Sequence, residues 1–172
     1  MDIFAKMSSP AVYQTPSDDI EGPPFVGALL RMCVKRIRTR IDAAIRQAGF
    51  ADLQESHLRV LSYPLPDGVR PSQLARHLGM SRQATNYVIA QMEGLGYLER
   101  RGEDGERRLV HFTARAWGVV EIIYATSREV QAEWAQEVGQ DRFRGLVDTL
   151  RLIAAEELEK ATTRPRDGSM TG

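Results

Sequence analysis

A segment at positions 81–90, SRQATNYVIA, carries side chains that could read the edges of DNA bases. In a helix that starts after Ser81, one face would hold these residues: Arg82, Gln83, Asn86, Tyr87 and Ala90. Arginine can bind guanine through two hydrogen bonds, and asparagine or glutamine can bind adenine in the same way. Ser81 would cap this helix, whose positive end favours a phosphate group. The pattern predicts a DNA-reading face.

The same segment must be positioned by a second helix. The opposite face of the helix after Ser81 has apolar or small residues at helical spacing, which predicts a buried row of Thr85, Val88, Met92 and Leu95. Upstream, the pattern predicts a short helix over Pro71–Leu78, because proline suits a first helical position and Gly79 follows the last turn. Two short helices joined by a glycine-containing turn form a helix-turn-helix.

A two-stranded hairpin is predicted after these helices. The strands would span Tyr97–Arg101 and Arg107–Thr113, and glycines at both ends of positions 102–105 supply the turn. The hairpin is rich in arginine, which suits contacts with phosphate groups. We therefore add its arginines to the predicted DNA-binding residues: Arg101, Arg107 and Arg108.

Longer helices are predicted on both sides of this unit. Apolar residues recur every three or four positions over Phe25–Ala48, and Gln54–Tyr63 shows a shorter version of the pattern. Thr113 would cap a helix that runs to Val138, and a last helix follows Gly139.

The predicted fold is mainly α with a small β-hairpin wing, a winged helix-turn-helix lobe flanked by long dimerisation helices. We expect the following organisation: a flexible arm at 1–24, a dimerisation helix at 25–50, the DNA-binding lobe at 51–113, C-terminal linker and dimerisation helices at 114–161, and a disordered tail at 162–172.

Overall composition gives no sign of a polyanionic partner. The chain has 23 basic and 23 acidic residues, so its net charge is zero and only the local placement of charge is informative. A single cysteine excludes an internal disulfide, and no apolar run approaches the about 20 residues that span a bilayer. Without a secretion signal at the start of the sequence, we expect a cytoplasmic protein with no membrane partner.

Two stretches, PSQLARHLGMSRQATNYVIAQMEGLGYLERR and LVHFTARAWGVVE, resemble the MarR-type winged-helix transcription regulators. The resemblance extends in outline over residues 25–160 and is most specific over Pro71–Thr113. It implies a homodimer, joined by the first and last helices, that binds a palindromic operator in double-stranded DNA. It also implies a transcriptional regulator, most simply a repressor relieved by a small aromatic or phenolic effector.

The resemblance places base and phosphate contacts at the start of the third helix of the lobe, which here holds Ser81, Arg82, Gln83, Asn86 and Tyr87. Many relatives have a basic residue at the position of Tyr87. The wing departs further from the family, which often carries Asp-x-Arg there. Counted back from LVHFT, Glu106 occupies the arginine position in this chain, whereas pairing Glu106-Arg107-Arg108 with the motif requires a shortened strand. Whether Arg107 or Arg108 enters the minor groove stays open.

An effector pocket is implied by the same resemblance, since relatives use the helix that carries His57 as a pocket wall. The candidate lining residues are Met32, Arg36, His57, Trp117 and Tyr124. The alternative is that these residues are part of an ordinary core.

Neither catalysis nor metal binding is predicted. No nucleophile with its base, glycine-rich phosphate loop or carboxylate pair occurs in a recognisable setting, so we expect neither an enzyme nor a cofactor. His57, His77 and His111 lack the mutual spacing of metal ligands, and apart from the pocket hypothesis we expect them at the surface or at a groove edge.

Two alternative functions remain at this stage. Cys33 could make the protein a redox-sensing regulator, although a buried, small hydrophobic role is the simpler interpretation. A winged helix can also serve as a protein–protein interaction module that uses the same face.

Overall fold

The computed structural model describes residues 22–63, 67–102 and 109–156. The elements within these ranges are α1 (Val26–Gln47), α2 (Glu55–Leu61), α3 (Pro71–Leu78), α4 (Arg82–Gly94), β1 (Leu98–Arg101), β2 (Leu109–Phe112), α5 (Ala114–Val138) and α6 (Gln140–Ile153). The mainly α fold with a β-hairpin is confirmed. Most of the predicted arm and the whole predicted tail lie outside the described residues, as do Arg107 and Arg108.

The chain divides into two compact units between Arg38 and Thr39, within α1. In the first unit, the described residues expose a set of apolar side chains: Phe25, Val26, Leu29, Leu30, Met32 and Val34. Basic side chains share this part of α1 with them, at Arg31, Lys35, Arg36 and Arg38.

Local signals determine the ends of α3 and α4. Pro71 occupies the first turn of α3, and Gly79 ends that helix in the left-handed region at φ 61°. The hydroxyl of Ser81 accepts a hydrogen bond from Ala84 N at 3.1 Å and so caps α4. These caps explain why α3 has its predicted bounds and why α4 begins directly after Ser81, as predicted.

The wing is a short antiparallel hairpin with an additional contact at its base. Leu98 pairs with Phe112 and Arg101 with Leu109. Val69 forms a further antiparallel bridge with Val110. Gly68 precedes that bridge at φ 76°, and a Cβ atom built there would lie 2.5 Å from the imidazole of His111. The backbone conformation therefore favours glycine, and any side chain at this position would also have to displace the imidazole of His111.

The core of the second unit lies where α2, α3, α4, the wing and α5 meet. Its most completely buried side chains include Val60, Leu74, Ile89, Met92, Tyr97, Val110 and Val119. The predicted inner row of α4 is correct for Thr85, Val88 and Met92 but wrong for Leu95, which is 37% exposed. Leu95 is the C-cap residue of α4, with its N–H bonded to Gln91 O at 3.0 Å, so it lies at the very end of the inner row.

Helices α5 and α6 follow the wing. Thr113 caps α5 by accepting a hydrogen bond from Ala116 N at 3.3 Å, and Gly139 separates the two helices at φ 93°. No side chain of α6 is fully buried, and Leu146, Leu152 and Ile153 are exposed. Within the described ranges, no helix combines the length and apolar character needed to cross a membrane.

Candidate nucleic-acid interface

The outer face of α4 consists of the side chains that the sequence assigned to DNA. Arg82, Gln83, Asn86 and Tyr87 are all exposed, and Tyr87 is 66% accessible. Thr85, Val88, Ile89 and Met92 are buried on the other side of the helix and fix its rotation. The structure therefore brings the predicted base-reading residues together on one accessible face, with small, exposed Ala90 beside them.

The start of α4 is suited to an anion through its backbone and through Ser81. The Ser81 hydroxyl accepts from Ala84 N, and the Ser81 carbonyl accepts from the Thr85 hydroxyl at 3.0 Å. The Ser81 hydroxyl accepts in its bond with Ala84 N, so its own O–H group can donate to a phosphate group. The positive end of the helix dipole would attract a phosphate group to the same place.

A buried histidine fastens α4 to α2. His57 is 1% exposed, so the expectation of a surface or groove-edge position is wrong for this residue. Gln54 N donates to His57 Nδ1 at 3.2 Å, which leaves the proton of a neutral imidazole on Nε2. Nε2 then donates to Gln91 Oε1 of α4 at 3.4 Å. The imidazole therefore links the two helices inside the lobe.

Arginines of the wing are paired with nearby carboxylates. Arg101 Nε donates to Glu99 Oε1 at 2.9 Å, and Arg100 Nε donates to Glu93 Oε1 at 3.0 Å. The Arg101 side chain is 64% exposed, and exposed pairs of this kind contribute little to stability. Arg101 can therefore exchange its carboxylate partner for a phosphate group at small cost.

A second polar group lies behind the wing, and sequence analysis missed it. We call Asp52, Tyr97 and Arg115 the Tyr97 cluster. Tyr97 is completely buried, and its hydroxyl donates to Asp52 Oδ1 at 2.7 Å. Arg115 donates to Asp52 Oδ2 at 2.8 Å, and its guanidinium lies 4.6 Å from the centre of the Tyr97 ring. Asp52 is 45 positions from Tyr97 and 63 from Arg115, so no local pattern marks the cluster.

Hydrogen bonding and burial shift the ionisation of all three groups. The hydrogen bond from Tyr97 is the main reason why the pKa of Asp52 is lowered, and Arg115 adds to the effect. Burial, followed by the bond to Asp52, raises the pKa of the Tyr97 phenol. The pKa of Arg115 is also raised, chiefly through its interaction with Tyr97. The cluster is thus held as a carboxylate, a neutral phenol and a guanidinium.

The predicted effector-pocket residues occupy several environments. Met32 and Arg36 are exposed on α1 in the first unit. In the second unit His57 is buried, Tyr124 is 44% exposed, and partly buried Trp117 packs edge-on against Phe112 with 5.3 Å between ring centres. The pocket stays a prediction.

The structure also shows the environments of Cys33 and His77. Cys33 is exposed in the single chain, rather than buried as the simpler interpretation required. His77 stacks on Tyr63, whose hydroxyl oxygen is 3.0 Å from His77 Nε2, and burial lowers the pKa of His77. In the part of the chain that the structure describes, no group of three or more His, Cys, Asp or Glu residues could hold a metal ion.

Comparison with known proteins agrees with this geometry. Residues 51–109 match the model of the MarR family, which covers the lobe from the loop before α2 to the start of β2. No curated protein matches the chain by sequence.

Solved structures with a similar fold span most of the chain. RV1404 of Mycobacterium tuberculosis is 19% identical, with 77% of this chain and 91% of that protein covered and a TM-score of 0.61. RV2887 of the same organism, a MarR family protein in complex with salicylic acid, is 24% identical, with 79% and 98% covered and a TM-score of 0.56.

MepR of Staphylococcus aureus, a transcription regulator of the multidrug efflux pump MepA, is 15% identical, with 76% of this chain and 97% of that chain covered and a TM-score of 0.58. A variant of MepR bound to an oligodeoxyribonucleotide is 16% identical, with 76% and 96% covered and a TM-score of 0.52. The chain therefore has the winged-helix fold of the MarR regulators.

Proposed function

We propose that this protein, whose winged-helix lobe belongs to the MarR family, is a homodimeric transcriptional regulator that binds a palindromic operator in double-stranded DNA. We further propose that it is a cytoplasmic repressor that a small aromatic or phenolic effector releases from DNA. The observation that carries the proposal is the exposed face of α4, formed by Arg82, Gln83, Asn86 and Tyr87.

The chemistry of this face supports DNA as the partner. Its arginine, glutamine and asparagine are the side chains that pair best with base edges in the major groove. No acidic residue occurs between Arg82 and Ala90, so nothing on this face repels phosphate groups. The first acid along the helix, Glu93, is paired with Arg100 at the start of the wing.

The solved structures support DNA and an aromatic effector as partners by analogy. The MepR variant is bound to an oligodeoxyribonucleotide, and RV2887 holds salicylic acid, a phenolic carboxylic acid. We transfer DNA binding and an aromatic effector to this chain as proposals. Trp117 and Tyr124 of α5, together with Met32, Arg36 and His57, remain the candidates for contact with such an effector.

Exposed apolar side chains support a second copy of the chain as the other partner. Phe25, Val26 and Leu29 are exposed near the start of α1, and Leu152 and Ile153 near the end of α6. Burial of each large aliphatic side chain contributes about 1.5 to 3 kcal/mol, and soluble proteins rarely leave long apolar strips exposed. In this proposal residues 51–113 read DNA while the helices before and after them dimerise.

A twofold dimer would present two copies of α4 to successive major grooves. The half-sites would then be about 34 Å apart, one turn of B-form DNA, and their sequences would be inverted repeats. This geometry is the reason to expect a palindromic operator.

A salt titration tests the proposed function most directly. The wild-type protein and the double variant Arg107→Ala with Arg108→Ala are compared for binding to a mixed-sequence duplex. Neutralisation of phosphate groups should give the wild type a steep decrease of log affinity with log salt concentration. Each lost phosphate contact should reduce this slope by about 0.9.

The outcome distinguishes between partner classes. A flat salt dependence for the wild type would contradict DNA binding and favour the alternative of a protein-binding winged helix. An unchanged slope in the double variant, with a steep slope in the wild type, would instead remove the wing arginines from the interface.

A further inference from the structure

Tyr97 connects α4 and the wing, the two elements that contact DNA in the proposed function. Its backbone N–H donates to Met92 O at 2.8 Å and closes the end of α4. The next residue, Leu98, begins β1. The Tyr97 carbonyl accepts from Thr113 N at 3.1 Å, and Thr113 is the N-cap of α5. The helix that reads bases, the wing and α5 therefore share this one residue.

The side chain of Tyr97 extends this junction to a fourth segment. The buried phenol donates to Asp52, which lies in the loop between α1 and α2. Arg115, in the first turn of α5, holds the second carboxylate oxygen of Asp52 and covers the Tyr97 ring. Phe50 lies beside this arrangement, with its ring centre 6.3 Å from that of Tyr97 and 5.8 Å from the Arg115 guanidinium.

We propose that Asp52, Tyr97 and Arg115 are positioning residues for DNA recognition, which set α4 and the wing at the separation that lets both contact one half-site. This inference rests on the proposed function, because it concerns how that same interface is aligned. The cluster lies behind the wing and touches neither the outer face of α4 nor, in our proposal, the DNA.

Removing only the Tyr97 hydroxyl can distinguish a positioning role of this residue from a role in core packing. The aromatic ring fills the core, whereas the hydroxyl connects the junction to the polar groups of the cluster, with Asp52 as its hydrogen-bond acceptor. Without the hydrogen bond to Asp52, the Tyr97 ring can stay buried, but the position of the wing relative to the α1–α2 loop is no longer fixed. A half-site read by two elements at once is sensitive to their relative placement, whereas sequence-independent phosphate contacts tolerate a shift.

The test uses Tyr97→Phe, with Tyr63→Phe as the matched control. Both variants lose a single phenolic hydroxyl that is hydrogen-bonded within the lobe, to Asp52 in one case and to His77 in the other. The probes are a duplex selected by the wild-type protein from a random-sequence pool and a mixed-sequence duplex. Thermal melting establishes that each variant is folded at the temperature of the binding measurement.

We expect Tyr97→Phe to lower affinity for the selected duplex about tenfold, within the range of coupling between contacting residues, and to leave the mixed duplex and the salt slope nearly unchanged. Tyr63→Phe should change neither affinity. If Tyr97→Phe binds the selected duplex as the wild type does, or if both variants lose affinity in proportion to their melting temperatures, the positioning role is wrong.

A double-variant comparison tests whether the cluster acts as one unit. Asp52→Asn should reduce specific affinity in the same way, and the combination with Tyr97→Phe should be no weaker than the stronger single variant. Additive losses would contradict the shared role. These outcomes are separate from a failure of the proposed function, which would already appear as a wild-type protein that selects no duplex and binds DNA without salt dependence.

Discussion

The outer faces of α4 and α6 are both exposed, but their chemistry is opposite. The face of α4 is polar and able to form directed hydrogen bonds, with Arg82, Gln83 and Asn86 as its main groups. The exposed face of α6 instead carries Leu146, Leu152 and Ile153, which form no hydrogen bonds through their side chains. A polar face suits a partner whose sequence must be read, and an apolar face suits a partner whose identity is fixed, such as a second copy.

The largest effect should follow from placing charges on the apolar face of α6. Leu146→Asp with Ile153→Asp should convert a dimer into a monomer, as measured by analytical ultracentrifugation. Operator affinity should fall about a hundredfold or more, because each half-site is then bound without the other. Leu150 is a poorer target, since it is partly buried within the chain.

Arg144→Asp with Arg151→Asp is the control for that experiment. These residues lie on the other side of the exposed surface of α6 and form exposed ion pairs with Asp141 and Asp148 of the same helix. This control should remain dimeric. If Leu146→Asp with Ile153→Asp remains a dimer, the apolar face of α6 is not the dimer contact, and the proposed difference between the two faces is wrong.

A smaller and more selective loss should follow from shortening one side chain on α4. Asn86→Ala should weaken binding to the selected duplex by about 1 to 3 kcal/mol, the usual worth of a base contact, and should spare mixed-sequence DNA. Fluorescence anisotropy with both duplexes measures the difference. Gln136→Ala removes an exposed amide from α5 as a control. Equal losses on both duplexes would assign Asn86 to backbone contact.

The smallest effect concerns the Tyr97 cluster, which lies on neither of these faces. Because the bond from Tyr97 and the charge of Arg115 lower the pKa of Asp52, its carboxylate adds stability above the ordinary aspartate value of about 3.9. That stability is lost as the pH falls through the lower, folded-state value. As the pH is lowered below about 4, the melting temperature of the wild type should therefore fall more steeply than the melting temperature of Asp52→Asn. Parallel curves would contradict the linkage.

Local signals explain how much of the fold was predictable. Pro71, Gly79, Ser81 and Thr113 act within one turn of their own positions, and they determine both ends of α3 and the starts of α4 and α5. The residues on the outer face of α4 were predictable for the same reason, because the helical period and a buried opposite row determine that face.

Long-range packing explains what was missed. The burial of His57 depends on Gln91, which approaches from another helix, and the Tyr97 cluster joins residues far apart in the chain. The helical period predicts Leu95 on the inner side of α4, but a periodic pattern does not show how much of the lobe covers the end of that helix. Each of these features depends on tertiary structure that a periodic pattern does not contain.

The close approach of Gly68 to His111 has an evolutionary consequence. Any side chain at position 68 would meet the imidazole, and the positive φ would strain the backbone as well. The two positions are therefore expected to vary together: a homologue with alanine at the equivalent of Gly68 should have a residue smaller than histidine opposite it. Paired substitutions at these two positions would then trace the relationships among homologues at the base of the wing.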